Sequence, residues 1–192
     1  MKQLLVIMLI LILLFCQSCS NKNIVVNSNP FFPHYDGEVL KYEGSFLFDD
    51  LYTDNGTLTI TKLITLFEGV VYKVQINSSY LNLGERGLIY FYVTEHEIWK
   101  LNILEESVLS NDNFDLKSNG DLMFSDDVSA KVSHNVTFSD DRTECEYSYN
   151  NDRTETGYFE QIILKRGIGI VKYSSGYGAL RNYLDIQVIE NK

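Results

Sequence analysis

Apolar and polar side chains alternate with a period of two along most of the chain after residue 35. Such a pattern is typical of β-strands that bury one face, because successive side chains of a strand point to opposite sides. In residues 38–48, for example, one face carries Leu40, Tyr42, Phe46 and Phe48. No sustained apolar pattern follows the helical period. The sequence therefore predicts an all-β fold.

About ten short strands are predicted, joined mostly by turns, which favours an antiparallel sandwich or a curled, barrel-like sheet. Glu68 and Gly69 separate two alternating runs and predict a hairpin turn. Residues 88–93 are apolar on both faces, which predicts a central strand covered on two sides. At most one short helix is expected, over residues 101–109. The 13 Tyr and 11 Phe residues must fill much of the core.

Three aromatic residues in and after the apolar run at 88–93 suggest a possible ligand site. Aromatic-rich antiparallel sheets can curl around a cavity of lipid size. Tyr90, Tyr92 and Trp99 would then line a cavity for an apolar ligand. The competing interpretation is that the same side chains fill an ordinary core.

The first 18 residues have the order of a secretory signal. Lys2 supplies a positive start, residues 4–15 are an unbroken apolar run, and Ser18 is a small residue at a cleavage position. The run is too short for a transmembrane helix, which needs roughly 20 residues. Export followed by cleavage is the prediction for residues 1–18.

Residues 15–20 resemble a bacterial lipobox, in which a Cys after a small residue becomes the acylated start of the mature protein. Cys19, preceded by Ser18, matches that position, although Cys16 holds the place usually taken by an aliphatic residue. Cys16 itself is the alternative, with Leu13 in the aliphatic place, and ordinary secretion is another. The resemblance implies a lipid anchor at Cys19 in the cell envelope, with Ser20 typical of lipoproteins sent to the outer membrane of a Gram-negative bacterium.

Residues 19–34 are predicted to be a lipidated tether, because they contain the only two prolines, Pro30 and Pro33, in a stretch rich in Asn and Ser. A single β-domain is then expected over residues 35–192. Loss of residues 1–18 removes Lys2 and no acidic residue, which takes the net charge from −10 to −11. An acidic chain without a Lys/Arg cluster argues against nucleic acid as a partner.

The residues with chemical potential do not form a recognisable catalytic or metal site. With Cys19 acylated, Cys145 is the single thiol of the mature chain and is interpreted as a small buried hydrophobe. In a strand, His96 faces away from Glu95 and Glu97, and His134 lies among apolar residues, so neither predicts a metal site. His34 is assigned to the tether. No cofactor and no metal is predicted.

Gly167 and Gly169 form a Gly-x-Gly that is followed by strand-forming residues, which excludes a dinucleotide loop and favours a tight turn or bulge. Residues 165–173 are similar to the closing strands of uncharacterised bacterial extracytoplasmic β-proteins, and this resemblance implies a β-rich fold only. The leading hypothesis is a non-enzymatic, membrane-anchored binding or structural module with an unknown protein or lipid partner. A carrier of an apolar ligand is the alternative, and a hydrolase has the least support.

Overall fold

A computed structural model of the chain describes residues 29–48, 50–79, 83–103, 105–111, 114–151, 157–178 and 182–189. Side chains are not described for residues 48, 50, 85, 86 and 182. The predicted signal segment and the first ten residues of the predicted tether therefore lie outside the described part. The short turn Gly84–Gly87 and the turn Glu106–Ser110 are 3-10 helices.

Within the described ranges, eleven antiparallel strands form one sheet. In chain order they are β1 (Val39–Phe48), β2 (Asp50–Thr65), β3 (Gly69–Ser78), β4 (Leu88–Thr94), β5 (Glu97–Leu101), β6 (Gly120–Ser125), β7 (Val136–Phe138), β8 (Glu144–Asn151), β9 (Tyr158–Lys165), β10 (Gly169–Tyr177) and β11 (Asn182–Val188). The spatial order is β6-β5-β4-β3-β2-β1-β11-β10-β9-β8-β7. The all-β prediction is confirmed.

The sheet curls until its two edges nearly meet, so it resembles a barrel. Across this seam the Cys145 thiol donates to the carbonyl of Met123 at 3.2 Å, and the backbone N–H of Ser133 donates to Leu122 at 2.9 Å. The inward faces of the strands carry one continuous apolar core. Its largest fully buried members include Tyr42, Tyr147, Tyr173, Phe91 and Met123. Of the two architectures predicted, the structure has the curled sheet.

The residues before β1 close one end of this barrel. Phe31 and Phe32 are both fully buried, and their rings lie 4.7 Å from Phe124 and 5.2 Å from Phe91. We call residues 29–38 the strap and this end of the barrel the strap end. The turns after β2, β4, β7 and β9 lie here, whereas the connections after β1, β3, β5, β8 and β10 lie at the other end, which we call the distal end.

The burial of the strap corrects the predicted domain boundary. Residues 29–34 were expected to belong to a tether, but the domain already includes Asn29, which is 1% exposed. The Asn29 side-chain amide donates to the carbonyl of Thr94 at 3.1 Å. The polar, proline-containing composition was misleading because two phenylalanines within it supply the apolar surface that seals the barrel.

Two other segments also differ from expectation. Residues 101–109 were predicted as the one helix, but Leu101 ends β5 and only a single 3-10 turn follows, at Glu106–Ser110. The alternation over residues 131–138 is typical of a strand, but only Val136–Phe138 pairs with β8, at the edge of the sheet. Of the two settings that the sequence allows for His134, core or edge, the structure has the exposed one beside this edge strand. No helix in the described ranges combines the length and apolar character needed to cross a membrane.

Candidate functional site

A cavity of about 420 Å³ lies at the distal end, between β4, β5 and β6 on one side and β8, β9 and β10 on the other. Its volume falls within the range of roughly 300–1,000 Å³ that small-molecule sites occupy. Five tyrosines line it, namely Tyr90, Tyr147, Tyr149, Tyr158 and Tyr173. The same wall carries charged side chains, so the cavity is only partly apolar.

A buried ion pair crosses this cavity. The Lys100 ammonium lies 2.6 Å from Glu160 Oε2, with the two side chains only 12% and 7% exposed. Lys100 is in phase with the inward-facing Ile98 on β5, and Glu160 is in phase with the inward-facing Ile162 on β9. Two strands that are distant in the sheet therefore each place a charge where the alternation would otherwise place a core residue.

Hydrogen bonds connect the pair to its surroundings. The Tyr173 hydroxyl donates to Glu160 Oε1 at 3.4 Å, and the Lys100 ammonium also donates to Asn102 at 3.1 Å. The Tyr147 hydroxyl donates to Asp121 at 3.1 Å, and the Lys100 ammonium lies 5.4 Å from the centre of the Tyr147 ring. The cavity thus presents donors, acceptors and aromatic faces together.

The two buried tyrosines remain protonated phenols. Burial, followed by the negative charges of Asp121 and Glu160, raises the pKa of Tyr147 far above its usual value. Burial and the Glu160 charge likewise raise the pKa of Tyr173. Both hydroxyls therefore act as hydrogen-bond donors to carboxylates across the whole physiological pH range.

The predicted ligand-lining residues lie together, but not inside the barrel. Tyr92 and Trp99 are cross-strand neighbours, and Tyr90 packs with Val71, Tyr92 and Leu101 in a second apolar cluster. This cluster is on the outer face of β3, β4 and β5, beneath part of the segment between β5 and β6. Only Tyr90 reaches the cavity rim, where its hydroxyl donates to Glu106 at 3.3 Å.

The outer cluster confirms that residues 88–93 are covered on both faces. Ile89, Phe91 and Val93 face the barrel core, whereas Tyr90 and Tyr92 face the outer cluster. The segment between β5 and β6 that covers the outer cluster is held to β5 by Lys117, whose ammonium lies 2.6 Å from Glu97 Oε2. The Trp99 indole also donates to that oxygen at 3.0 Å. Burial alone would raise the pKa of Glu97, but the hydrogen bonds from Lys117 and Trp99 lower it.

The histidines occupy three different settings, and none of their contacts within the described ranges joins a serine hydroxyl or a thiol. His96 is 67% exposed in the turn after β4 and lies 3.1 Å from Asp126. His34 is 2% exposed and binds Glu38 and the backbone of Ile170. The described residues contain no group of three or more His, Cys, Asp or Glu side chains with the geometry of a metal site.

Cys145 has the predicted role of a small buried hydrophobe. Its side chain is fully buried, and burial raises the pKa of its thiol to about 12. The adjacent Glu146 acts in the same direction, against the opposing charge of Arg142. A thiol in this setting is a poor nucleophile, because the thiolate is the reactive form.

A larger depression of about 770 Å³ lies on the outer face of β1, β9, β10 and β11. Its charged members are solvent-accessible: Lys172 and Asp185 are 36% and 46% exposed and lie 3.6 Å apart. Exposed pairs of this kind are common on protein surfaces and indicate little about function. The smaller cavity is the better candidate because its charges are buried.

No protein-family model matches the chain, and no curated protein matches its sequence. Among solved structures, the chain is similar to a protein of Bacteroides fragilis that is described as exported and as having a YmcC-like fold. The two share 10% sequence identity with a TM-score of 0.37, over 83% of this chain and 97% of the other. A likeness at that level carries no argument about function.

Proposed function

We propose that this protein is a non-enzymatic, lipid-anchored envelope protein whose barrel binds a small saccharide in the distal cavity. The observation that carries the proposal is the buried Lys100–Glu160 pair inside a cavity of ligand size. Buried ion pairs rarely stabilise a fold better than apolar residues of the same size would. Such a pair beside a cavity is therefore better explained by ligand recognition than by stability.

The chemistry of the wall supports a neutral ligand that is rich in hydroxyl groups. The Lys100 ammonium and the Asn102 amide nitrogen donate hydrogen bonds, Asp121 and Glu160 accept them, and a sugar hydroxyl can pair with either kind. A sugar ring also has an apolar face that packs on aromatic side chains such as Tyr149 and Tyr158. A charged ligand would be repelled by one member of the ion pair, because Lys100 is positive and Glu160 is negative.

The alternative, an apolar ligand carried inside the curled sheet, has less support. The barrel interior is occupied by core side chains, among them Leu58, Ile60, Val74 and Ile162, all fully buried. The distal cavity contains charged side chains, and a hydrocarbon chain would displace water from them without offering any hydrogen bond in return. Tyr90, Tyr92 and Trp99 belong to the outer cluster instead.

The anchor part of the proposal rests on the sequence. The signal-like residues 1–18 and the lipobox-like Cys19 support acylation there, and an outer-membrane location is part of the same proposal. Residues 20–28 would connect Cys19 to the strap. Nine residues span at most about 30 Å when fully extended, so the barrel would stay close to its membrane.

Saturation-transfer NMR with neutral disaccharides tests the binding proposal. Maltose, cellobiose, lactose and chitobiose are added at millimolar concentration to the mature chain in detergent. We expect signal transfer to at least one of them. The signal should disappear in the double variant Lys100→Met/Glu160→Met, which keeps the size of the cavity walls but removes the ion pair.

The matched control is Glu43→Gln, in the outer depression, which should bind as the natural chain does. Absence of transfer to all four sugars, or equal transfer in the double variant, would refute the saccharide site. Co-purifying lipid in native mass spectra would favour the apolar-ligand alternative. The anchor is tested separately: the intact mass should include acyl chains, and Cys19→Ala should release the protein from the membrane fraction.

A further inference from the structure

Large apolar side chains are exposed at the strap end of the barrel. In the turn after β2, Phe67 is 102% exposed and Leu66 is 40% exposed. In the connection after β6, Val128 is 87% exposed, and in the strap Tyr35 is 62% exposed. Single exposed apolar residues are normal, but four at one end of a barrel indicate an interaction surface. We call these four residues the apolar rim.

The turn between β4 and β5 connects the rim to the place where the chain enters the barrel. Phe67 and residues 94–97 line the same depression of about 360 Å³. The backbone N–H of Asp126, near Val128, donates to the carbonyl of His96 at 2.9 Å. The side chain of Asn29, the first described residue, also binds this turn. Phe67 and Val128 therefore lie beside the turn at which the N-terminal segment enters the barrel.

We propose that the apolar rim docks the strap end onto the lipid surface to which the chain is anchored. This inference rests on the proposed anchor at Cys19. Residues 20–28 can span at most about 30 Å even when fully extended. A tether of that length holds the strap end, rather than the distal end, at the bilayer, so the rim can reach the interface.

The charges beside the rim identify the kind of lipid surface. Glu68, Glu95, Asp126 and Asp127 are acidic neighbours of Phe67 and Val128, and the nearby Lys117 is already paired with Glu97. Two arginines at the same end, Arg142 and Arg166, lie in other turns and over the rings of Phe138 and Phe31. An acidic surface is repelled by anionic headgroups. The partner we infer is therefore a zwitterionic surface, such as one of phosphatidylcholine or phosphatidylethanolamine. Docking in this way would point the distal cavity away from the membrane.

Tryptophan quenching tests this orientation without depending on acylation. A hexahistidine sequence replaces residues 1–18, Cys19 is changed to Ser, and the chain is held on zwitterionic vesicles that contain nickel-chelating lipid. The emission of the Phe67→Trp variant is the sum of two tryptophans, one of which is Trp99. After the emission of the parent chain is subtracted, we expect the remaining emission to be blue-shifted. Acyl-brominated lipids should reduce it by roughly twofold, as expected for a side chain within the headgroup region.

Leu51→Trp is the matched control, because Leu51 is 67% exposed at the distal end. Its added fluorescence should not respond to brominated lipid. Replacing half of the vesicle lipid with phosphatidylglycerol should weaken quenching in Phe67→Trp. Equal quenching at both positions, or none at Phe67→Trp, would overturn the docking surface. Because the tag replaces the acyl anchor, failure of acylation at Cys19 would be seen separately, in the intact mass.

Discussion

His34 accepts a hydrogen bond from the backbone N–H of Ile170, at 3.1 Å from Nε2, across 136 positions of sequence. Because a backbone N–H can only donate, Nε2 is the acceptor nitrogen, and Nδ1 carries the proton that is donated to Glu38 at 2.8 Å. One imidazole thus fastens the strap to β10. The ring also packs edge-on against Phe32, with 4.8 Å between the ring centres.

The first prediction concerns the space that this histidine occupies. A Cβ added to Gly169 would fall on the His34 imidazole, and Gly169 has a φ of +91°. Gly167 has a φ of +77° but nothing within 4 Å of an added Cβ. We expect Gly167→Ala to cost about 1 kcal/mol of unfolding free energy, from backbone strain alone. Gly169→Ala should cost about 2 kcal/mol more, because it also displaces the strap. Urea denaturation of both variants measures the difference, and equal losses would contradict the role of His34.

The second prediction concerns the ion pair in the cavity. Glu160→Met or Lys100→Met alone should lower the unfolding free energy by about 3 kcal/mol, because each leaves a buried charge without its partner. The double variant Lys100→Met/Glu160→Met should recover most of that loss. A double-mutant cycle from urea denaturation gives the coupling energy. If the two single losses simply add in the double variant, the pair is not coupled as the structure implies.

The third prediction is a change in the fluorescence of Trp99 at low pH, caused by protonation of Glu97, which binds both Lys117 and Trp99. The folded-state pKa of Glu97 lies below its usual value, so the carboxylate's contribution is fully present above the unfolded pKa, about 4.3. It is lost as the pH falls through the lower, folded pKa. Emission of Trp99, the only tryptophan in the chain, should be constant around neutral pH and should shift to the red only in acid, below the usual pKa of a Glu carboxyl.

Glu97→Gln provides the control for this transition. The variant should show the shifted emission already at neutral pH and no further change as the pH is lowered through the acid transition of the natural chain, because Gln does not titrate. Retention of the same acid transition in Glu97→Gln would assign it to another group.

The fourth prediction concerns thiol reactivity. With its pKa raised to about 12 and its side chain fully buried, Cys145 should not react with an aromatic disulfide reagent at neutral pH in the folded chain carrying Cys16→Ser and Cys19→Ser. Unfolding in guanidinium should release one reactive thiol. Rapid reaction of the folded protein would show that the seam beside Cys145 opens readily.

Sequence patterning predicted the strands well where alternation is strict. The hairpin at Glu68 and Gly69 is observed, with the Leu66 N–H donating to the Gly69 carbonyl at 2.8 Å. The strand β6 was not predicted, because Gly120 and Asp121 interrupt the apolar pattern at its start. The strap was misassigned because its polar composition outweighed two consecutive phenylalanines. Both errors come from segments whose burial depends on distant parts of the chain.

The candidate site could not be predicted from local sequence. Lys100 and Glu160 belong to strands that are not neighbours in the sheet, and only the curl of the sheet brings them within 2.6 Å. One signal was nevertheless present: each charge occupies an inward position in an otherwise apolar alternation. A charged residue at such an inward position predicts an oppositely charged partner elsewhere on the inner face of the sheet. Tyr90, Tyr92 and Trp99 show the converse, since apolar character alone did not reveal which face of the sheet they cover.

The pairing of β1 with β11 also has a consequence for biosynthesis. The β1–β6 half and the β7–β10 half of the sheet are hydrogen-bonded to each other through β11, which follows the ten other described strands in the chain. A nascent polypeptide therefore cannot join the two halves of its sheet while residues 182–188 are still inside the ribosome.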